Sequence, residues 1–267
     1  MKIVRFLDSI GQIHHGVDQS DGTALRIQGD ILANHTVTHQ KVGIQKLLAP
    51  IVPPAILCIG LNYLKHMEET GASRPEFPVL FMKNPSTLQN PGDAIEIPTQ
   101  LKSTEVDWEC ELAIVIGKRC KNVSKEKALD YILGYTCGND VSARDWQKKW
   151  GGSQWCRGKG FDTFCPLGPA IVTRDEIPNP NTMQLQTFVN GKKMQDSNTR
   201  DMIFDVPTLI AFLSGSTTLV PGTVILTGTP SGVGMGMKPP VYLKAGDTVK
   251  VVIEKIGELT NPVVMEG

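Results

Sequence analysis

The chain has 267 residues, of which 40% are hydrophobic and 20% are charged, a composition typical of a globular protein with a substantial core. Its 27 Lys and Arg residues equal its 27 Asp and Glu residues in number, so no overall field attracts nucleic acid or an anionic membrane, and a charged substrate must be met inside a pocket. No apolar stretch approaches the ~20 residues of a membrane span, and Asp8 interrupts the segment where a signal peptide needs an apolar run. The six cysteines form no C-x-x-C pair. These features together predict a cytoplasmic protein with reduced thiols.

Residues 1–50 are predicted to form a small N-terminal region, and residues 51–267 the main domain. The N-terminal region contains short alternating runs and turn signals, and a short helix is predicted at residues 43–48. The boundary follows from the sequence Pro50-Ile51-Val52-Pro53-Pro54, because three prolines in five residues suit neither a helix nor a central strand.

The main domain is predicted to consist mostly of strands. Strand-like runs occupy residues 78–83, 106–116, 185–195, 223–226 and 248–256, and the third contains the hairpin signal Asn190-Gly191. One helix is predicted to begin at Ser124 and end at Gly134, and a second to begin at Asp205. This pattern predicts a β-rich α+β fold of the sandwich or roll type with a few short helices. No Walker motif occurs, and no G-x-G-x-x-G follows a strand, so nothing supports nucleotide binding.

Three carboxylates are candidates for a metal site. Glu109 and Glu111 alternate with apolar residues along a predicted strand, so they project to the same side, about 6.5–7 Å apart. A strongly apolar run follows them, and two carboxylates beside a core stay ionised when a cation lies between them. Oxygen ligands favour Mg²⁺, then Mn²⁺ or Ca²⁺, and Asp140 could supply a third ligand. The alternatives are a solvated strand face and a structural ion pair of Asp140 or Asp145 with Arg144.

An acid–base pair is predicted in residues 62–69, which are long enough for about two helical turns. His66 and Glu69 would lie on one face of this helix, three residues apart. A glutamate beside a histidine orients the imidazole and makes it a better base for deprotonating water. A short helix between Gly60 and Gly71 could also move as a lid. An ordinary surface pair is the alternative interpretation.

Two glycine-containing segments supply further polar candidates. Lys159 lies between Gly158 and Gly160, where its ammonium could approach a carboxylate ligand. The turn that runs from Gly228 to Gly234 could present backbone N–H groups and the Thr229 hydroxyl to an anion. Solvated lysines and a tight turn after a strand are the alternatives.

Five motifs occur along the chain in a fixed order: I-G-L-N-Y-x-x-H-x-x-E, V-D-W-E-x-E-L-A-x-V-I-G-K, N-D-V-S-A-R-D, G-K-x-F-D-T-F-C-P-L-G-P and L-T-G-T-P-x-G-V-G. From about Ile56 to the C-terminus the chain thereby resembles the fumarylacetoacetate hydrolase family. The phrases D-V-S-A-R-D-W-Q, F-D-T-F-C-P-L-G-P and K-P-P-V-Y-L-K look most like the subgroup of fumarylacetoacetate hydrolase domain-containing protein 2.

The resemblance implies a mixed β-sandwich roll, usually dimeric, that holds Mg²⁺ or Mn²⁺ on Glu109, Glu111 and Asp140. It implies that His66 and Glu69 activate water on a lid helix and that Lys159 steadies the oxygen atoms of the substrate. Polar substrate contacts are expected from Arg144, Gln147, Thr229 and Lys83. The chain departs from the family's F-x-K-P motif at Lys83, because Asn84 stands between this lysine and Pro85.

The implied function is that of an enzyme acting on small 2-oxo or 2,4-dioxo carboxylic acids. The leading hypothesis is hydrolysis of a C–C bond in acylpyruvate-like or fumarylacetoacetate-like acids through a metal-stabilised enolate. The alternative is keto–enol tautomerisation or decarboxylation of oxaloacetate at the same site. A third hypothesis is a catalytically silent, metal-binding interaction protein. A homodimer is expected, with no nucleic-acid or membrane partner.

Overall fold

The computed structural model describes residues 1–267 and contains nineteen β-strands. The first nine are β1 (Lys2–Leu7), β2 (Ile13–Asp18), β3 (Thr23–Gly29), β4 (His35–Gly43), β5 (Lys46–Leu48), β6 (Ile56–Gly60), β7 (Val79–Lys83), β8 (Leu88–Gln89) and β9 (Ile95–Ile97). The other ten are β10 (Val106–Asp107), β11 (Cys110–Ile116), β12 (Ile132–Asn139), β13 (Ser142–Ala143), β14 (Cys165–Thr173), β15 (Gln184–Val189), β16 (Lys192–Asn198), β17 (Val224–Leu226), β18 (Thr248–Ile253) and β19 (Gly257–Met265).

Helices are few and short. The three α-helices are α1 (Leu64–Thr70), α2 (Trp155–Lys159) and α3 (Val206–Ser214). Single 3₁₀ segments span Pro85–Thr87, Lys125–Tyr131, Pro180–Thr182, Thr199–Asp201 and Gly234–Gly236, and a π-helix spans Asp145–Trp150. None of these helices has the length and apolarity that a membrane crossing requires.

The strands form one large sheet, one medium sheet and one isolated pair. The large sheet has 12 strands, with the main order β4-β3-β2-β1-β14-β12-β11-β17-β6-β7, while β5 pairs with β1 and β8 with β14. The medium sheet has the order β16-β15-β18-β19-β9, and β10 pairs with β13. Most pairs are antiparallel, but β17 and β6 are parallel, as are β14 and β8, and β19 and β9. The predicted β-rich α+β fold with mixed sheets is therefore confirmed.

Strand β11 lies at the centre of the large sheet and is buried on both faces. Leu112 and Ile114 belong to a core of 26 residues that also contains side chains of β18 and α3. Ala113 and Val115 project to the opposite face, into a second core of 15 residues. Burial on both faces explains why the strand is continuously apolar after Glu111 instead of alternating.

Two local predictions are confirmed by the structure. Residues 184–198 form the hairpin β15–β16, and Asn190 and Gly191 at its turn have φ angles of 51° and 78°. Positive φ at both positions is the requirement of a type I′ turn. Helix α3 begins at Asp205, whose side chain accepts a hydrogen bond from the Thr208 N–H at 2.9 Å.

Three local predictions are wrong because pairing with distant strands decides the conformation. Residues 43–48 form no helix, since Leu47 and Leu48 pair with β1. The helix predicted to run from Ser124 to Gly134 is a 3₁₀ segment that ends at Tyr131, because the next residues join β12 and pair with β11. The single strand predicted at 106–116 is divided into β10 and β11, which pair in different sheets.

The N-terminal residues extend the large sheet. Strands β1 to β5 precede the proline-rich segment, which is neither helix nor strand, and β1 pairs with β14 of the following residues. The division at residues 50 and 51 into a small region and a main domain stays a prediction.

Candidate active site

Three buried carboxylates meet where β11 and β12 lie side by side. Glu111 lies in β11, Glu109 directly precedes this strand, and Asp140 directly follows β12. The Glu109 N–H donates to Asn139 Oδ1 at 3.0 Å, and the Asp140 N–H donates to the Glu109 carbonyl at 2.9 Å. These two hydrogen bonds fix the adjacent ends of β11 and β12 relative to each other. One oxygen from each carboxylate lies within 4.8 Å of the other two. At this spacing, one cation could contact all three groups.

Two buried lysines contact these carboxylates. Lys159 Nζ lies 2.8 Å from Glu109 Oε2, 2.7 Å from Asp140 Oδ2 and 2.6 Å from Ser142 Oγ, so its three N–H donors all have partners. Lys83 Nζ donates to Asp140 Oδ1 at 2.6 Å and is almost fully buried. Burial opposes the charge of Lys159, but the charges of Asp140 and Glu109 raise its pKa above the ordinary value.

Arg144 is held by two carboxylates on the same side. Its Nε donates to Asp107 Oδ2 at 2.9 Å, and its Nη1 lies 2.7 Å from Glu109 Oε1 and 2.9 Å from Gln147 Oε1. The ion pair suggested with Asp140 or Asp145 does not form. The Asp145 carboxylate instead accepts hydrogen bonds from the Ser103 hydroxyl and nearby backbone N–H groups.

Glu111 differs from the other two carboxylates because no cation contacts it. Its Oε2 accepts the Gly228 N–H at 2.6 Å. Burial, together with the charges of Asp140 and Glu109, raises the pKa of Glu111 well above the ordinary value. Burial acts in the same direction on Glu109, but the charge of Lys159 helps to hold the pKa of Glu109 below its ordinary value. A cation beside Glu111 would relieve the desolvation of its charged form.

The charges around this cluster do not balance. The buried carboxylates are Asp107, Glu109, Glu111 and Asp140, whereas the buried cations are Lys83, Arg144 and Lys159. When Glu111 is ionised, the cluster carries one negative charge in excess, and this excess together with a donor set made only of oxygen atoms fits a divalent cation such as Mg²⁺ or Mn²⁺.

Helix α1 places a histidine beside the same site. His66 is buried, and its Nδ1 lies 3.2 Å from Glu69 Oε2, whereas its Nε2 has no hydrogen-bond partner in the protein. The start of α1 is fixed by Asn62, whose side-chain amide donates to the Thr227 carbonyl at 2.7 Å. The helix ends at Gly71, which has a φ of 67°. The predicted pair on one helical face is therefore present.

A glycine-rich loop, defined here as residues 228–236, binds the protein's own carboxylates. Its backbone N–H groups donate from Gly228 to Glu111 at 2.6 Å, from Gly232 to Glu69 at 3.0 Å and from Gly234 to Asp107 at 2.7 Å. A side chain at Gly234 would put a Cβ atom 1.9 Å from the Val241 carbonyl oxygen, so this close approach requires glycine. The N–H groups that were predicted to bind an external anion thus bind side-chain carboxylates of the chain itself.

A cavity of about 160 Å³ opens between α1, α2 and the carboxylates. Its polar wall includes His66, Glu109, Glu111, Arg144, Gln147, Lys148, Lys159 and Thr229. Its apolar wall includes Ile59, Leu61, Phe81, Trp155 and Met235. The Phe81 and Trp155 rings meet edge to face at 5.5 Å. A small cavity with one polar and one apolar wall suits a small organic acid.

Four side chains were expected to contact substrate, and the structure places them differently. Arg144 and Gln147 line the cavity. Thr229 also lines it, but its hydroxyl already donates to the Cys110 carbonyl at 3.0 Å. Lys83 is not part of the lining, and its ammonium contacts Asp140 and the Val141 carbonyl. The buried ammonium of Lys83 therefore stabilises the carboxylate cluster and does not reach the cavity in which a substrate would bind.

Two residues that hold the site were not identified from the sequence. The Asp107 carboxylate accepts bonds from Arg144 Nε and from the Gly234 and Met235 N–H groups. Gln195 Nε2 donates to Thr229 Oγ1 at 2.8 Å from the hairpin β15–β16. Alternation along residues 106–111 placed Asp107 on the same face as the glutamates, and this was the available signal. Nothing local in the sequence indicated Gln195.

The chain is similar to proteins of known family. Residues 55–264 match the family described as "Fumarylacetoacetate (FAA) hydrolase C-terminal". The relative named "Oxaloacetate tautomerase fahd2, mitochondrial" from Xenopus laevis is 53% identical over 82% of this chain and 68% of its own length. The human relative named "Oxaloacetate tautomerase FAHD2A, mitochondrial" is 47% identical over 81% of this chain and 69% of its own length.

Two solved structures cover the whole chain and are themselves fully covered. The 5-carboxymethyl-2-hydroxymuconate delta-isomerase from Mycobacterium smegmatis superposes with a TM-score of 0.86 at 40% identity. The fumarylacetoacetate hydrolase from Exiguobacterium antarcticum superposes with a TM-score of 0.86 at 39% identity. Motif order, fold and sequence identity agree, and the chain belongs to the fumarylacetoacetate hydrolase family.

Proposed function

We propose that the protein is a divalent-cation-dependent tautomerase that interconverts the keto and enol forms of oxaloacetate. The observation that carries this proposal is a cluster of three buried carboxylates, two of which, Glu109 and Glu111, line the same cavity as a histidine whose Nε2 has no partner in the protein. The names of the vertebrate relatives then favour tautomerisation, the alternative of the sequence analysis, over C–C hydrolysis.

In this proposal Glu109, Glu111 and Asp140 hold the cation, and oxygen-only coordination favours Mg²⁺ or Mn²⁺, with Ca²⁺ as a possible substitute. When bound, the cation supplies positive charge to the carboxylate and ketone oxygens of a 2-oxo acid. Lys159 and Lys83 keep the ligand carboxylates ionised and fixed in position, because each ammonium contacts at least one of them.

His66 is the proposed base. Its Nε2 removes a proton from C3 of the keto form, the electron pair of that C–H bond forms the C2–C3 double bond, and protonated His66 gives the same proton to the ketone oxygen to complete the enol. The reverse sequence returns the proton to C3. Glu69 orients the imidazole through Nδ1 and stabilises its positive charge when His66 is protonated. The apolar wall limits the access of water to the intermediate.

Hydrolysis of a C–C bond is the second candidate, and the same free Nε2 favours it. His66 would then deprotonate a water molecule, which attacks the distal carbonyl of an acylpyruvate. The two candidates differ in whether a water molecule reaches the substrate. They can therefore be separated by the products that the protein releases.

The deciding experiment is proton NMR of the purified protein with oxaloacetate and, separately, with acetylpyruvate, each with and without Mg²⁺. The proposal predicts Mg²⁺-dependent acceleration of enol–keto exchange in oxaloacetate, with acetylpyruvate intact. Release of acetate and pyruvate from acetylpyruvate would favour the hydrolase. Catalysis of neither reaction would favour the silent, metal-binding interaction protein.

The compartment and the oligomeric state stay predictions. The sequence features favour the cytoplasm, whereas the names of the Xenopus and human relatives describe mitochondrial proteins. Fractionation of cells that express the full-length protein would decide between the two compartments. The expected homodimer can be checked by sedimentation of the purified chain.

A further inference from the structure

The segment that follows Arg144 presents two neighbouring lysines to different surroundings. It forms the π-helix Asp145–Trp150, a rare conformation that often occurs at functional sites. Lys148 lines the cavity, whereas Lys149 does not and forms an ion pair with Glu105 outside it. The two lysines are therefore a natural pair of test and control positions.

Two cationic groups in this wall of the cavity have donors without a partner. Lys148 is an exposed residue at the edge of the cavity, and its ammonium forms no ion pair and no side-chain hydrogen bond within the chain. Arg144 is 3% exposed, and its Nη2 is buried without any hydrogen-bond partner, while its other nitrogens bind Asp107, Glu109 and Gln147. Buried guanidinium N–H groups are nearly always satisfied, so the free Nη2 indicates a ligand acceptor.

The two cations also repel each other. Burial, and next the charge of Arg144, lower the pKa of Lys148. Two like charges facing one small cavity are stabilised when an anion lies between them. No carboxylate of the chain forms an ion pair with Lys148, and Asp107 and Glu109 contact Arg144 through Nε and Nη1, which leaves Nη2 without a partner.

We propose that Lys148, together with Arg144 Nη2, binds the second carboxylate of the substrate and makes the site selective for 2-oxo dicarboxylates over 2-oxo monocarboxylates. The inference rests on the proposed function, in which the 2-oxo acid end of the substrate faces Glu109, Glu111 and Asp140. The far carboxylate would then extend towards the π-helix. Lys148 is thus a specificity-determining residue and takes no part in proton transfer.

The test compares Lys148→Gln with Lys149→Gln and Lys148→Arg in the Mg²⁺-loaded protein. Oxaloacetate is the substrate, and pyruvate, which lacks the second carboxylate, is the competitive inhibitor. For Lys148→Gln we expect the KM of oxaloacetate to rise about tenfold, since one charged hydrogen bond is lost, with kcat and the pyruvate inhibition constant changed less than about twofold. Lys149→Gln should behave as the wild type, and Lys148→Arg should restore the KM to within about threefold because the charge is kept.

Two results would overturn the inference while leaving the tautomerase intact: an unchanged KM for oxaloacetate in Lys148→Gln, or an equal loss of oxaloacetate and pyruvate binding. If the wild type fails to tautomerise oxaloacetate, the proposed function fails. Calorimetric titration of oxaloacetate and pyruvate into the wild type and Lys148→Gln then tests Lys148 separately. Weaker binding of oxaloacetate alone supports it, and equal affinities of the two proteins, or no binding to either, refute it.

Discussion

The floor and the rim of the cavity are built in different ways. The floor consists of Glu109 and Glu111 with the adjoining Asp140, all of them buried at strand ends in the middle of the large sheet. Lys159 contacts Glu109 and Asp140, and the Gly228 N–H donates to Glu111. The rim consists of helix α1 and the π-helix Asp145–Trp150. On α1, the Glu69 side chain forms one hydrogen bond outside the helix, which it accepts from the Gly232 N–H at 3.0 Å.

This difference matches two chemical tasks. A cation site needs oxygen atoms whose positions do not change, and many short bonds within a core supply that rigidity. Proton transfer and substrate selection need groups that keep a free donor or acceptor, such as His66 Nε2 and Arg144 Nη2. Substitutions of cation ligands in the floor should therefore lower the activity more than substitutions in the rim.

The largest effect is expected from Glu109→Gln in the floor. The variant loses one of three anionic ligands and both ion pairs to Lys159 and Arg144, so we expect no measurable Mg²⁺ binding by calorimetry. The kcat/KM for oxaloacetate should fall about 1,000-fold or more. Glu105→Gln, outside the cavity, is the control and should keep both properties. If Glu109→Gln does not fold, Asp140→Asn serves instead, and a folded floor variant with wild-type activity would refute the cation site.

A smaller loss is expected when the base is removed from the rim. His66→Ala should lower kcat for oxaloacetate tautomerisation about 100-fold to 1,000-fold, in the range of lost general base catalysis. Mg²⁺ affinity should stay unchanged, because His66 contacts none of the three floor carboxylates. His39→Ala, at an exposed position of β4, is the control. A wild-type rate in His66→Ala would require another base.

The partner of the histidine should matter less than the histidine. Glu69→Gln keeps an acceptor for the Gly232 N–H but loses the charge that stabilises protonated His66, so we expect kcat to fall about tenfold. Glu68→Gln on the exposed face of α1 should leave kcat unchanged. Equal rates in the two variants would show that Glu69 contributes no more than a surface residue does.

The smallest effect concerns stability, and it separates Glu111 from Glu109. The folded-state pKa of Glu111 is raised, so the contribution of this residue to the free energy of unfolding is complete below its unfolded-state pKa. This contribution is lost as pH rises through the folded-state pKa. Glu111→Gln should therefore raise the Tm of the metal-free protein at pH 7 by about 2–4 °C, as for a gain of about 1 kcal/mol. The difference should shrink towards pH 4 in differential scanning calorimetry with EDTA. A lower Tm in Glu111→Gln at pH 7 would contradict the raised pKa.

Local patterns were sufficient where the structure is decided locally. Alternation along residues 106–112 predicted that Glu109 and Glu111 would share a face, and the turn residues Asn190 and Gly191 predicted the hairpin. Helix α3 followed from its capping residue Asp205. In each case the deciding interaction lies within a few residues of the position it explains.

Patterns failed where the deciding partner is distant in the chain. Asp107 is bound by Arg144, 37 positions away, and by Gly234, 127 positions away, so its function was not evident from its neighbours. The helix predicted at residues 43–48 is replaced by strand pairing with β1. Lys148 and Lys149 are chemically identical, and the π-helix that separates their surroundings has no signal in the sequence.

The glycine-rich loop has a consequence for how this site can diverge. It holds Glu69, Glu111 and Asp107 through main-chain N–H groups, which every amino acid except proline provides. One of these donors belongs to Met235, whose side chain also lines the cavity. Residue 235 can therefore be exchanged to reshape the cavity while its N–H continues to bind Asp107. Substrate preference could evolve at this position without a simultaneous change in the acid–base and cation-binding groups.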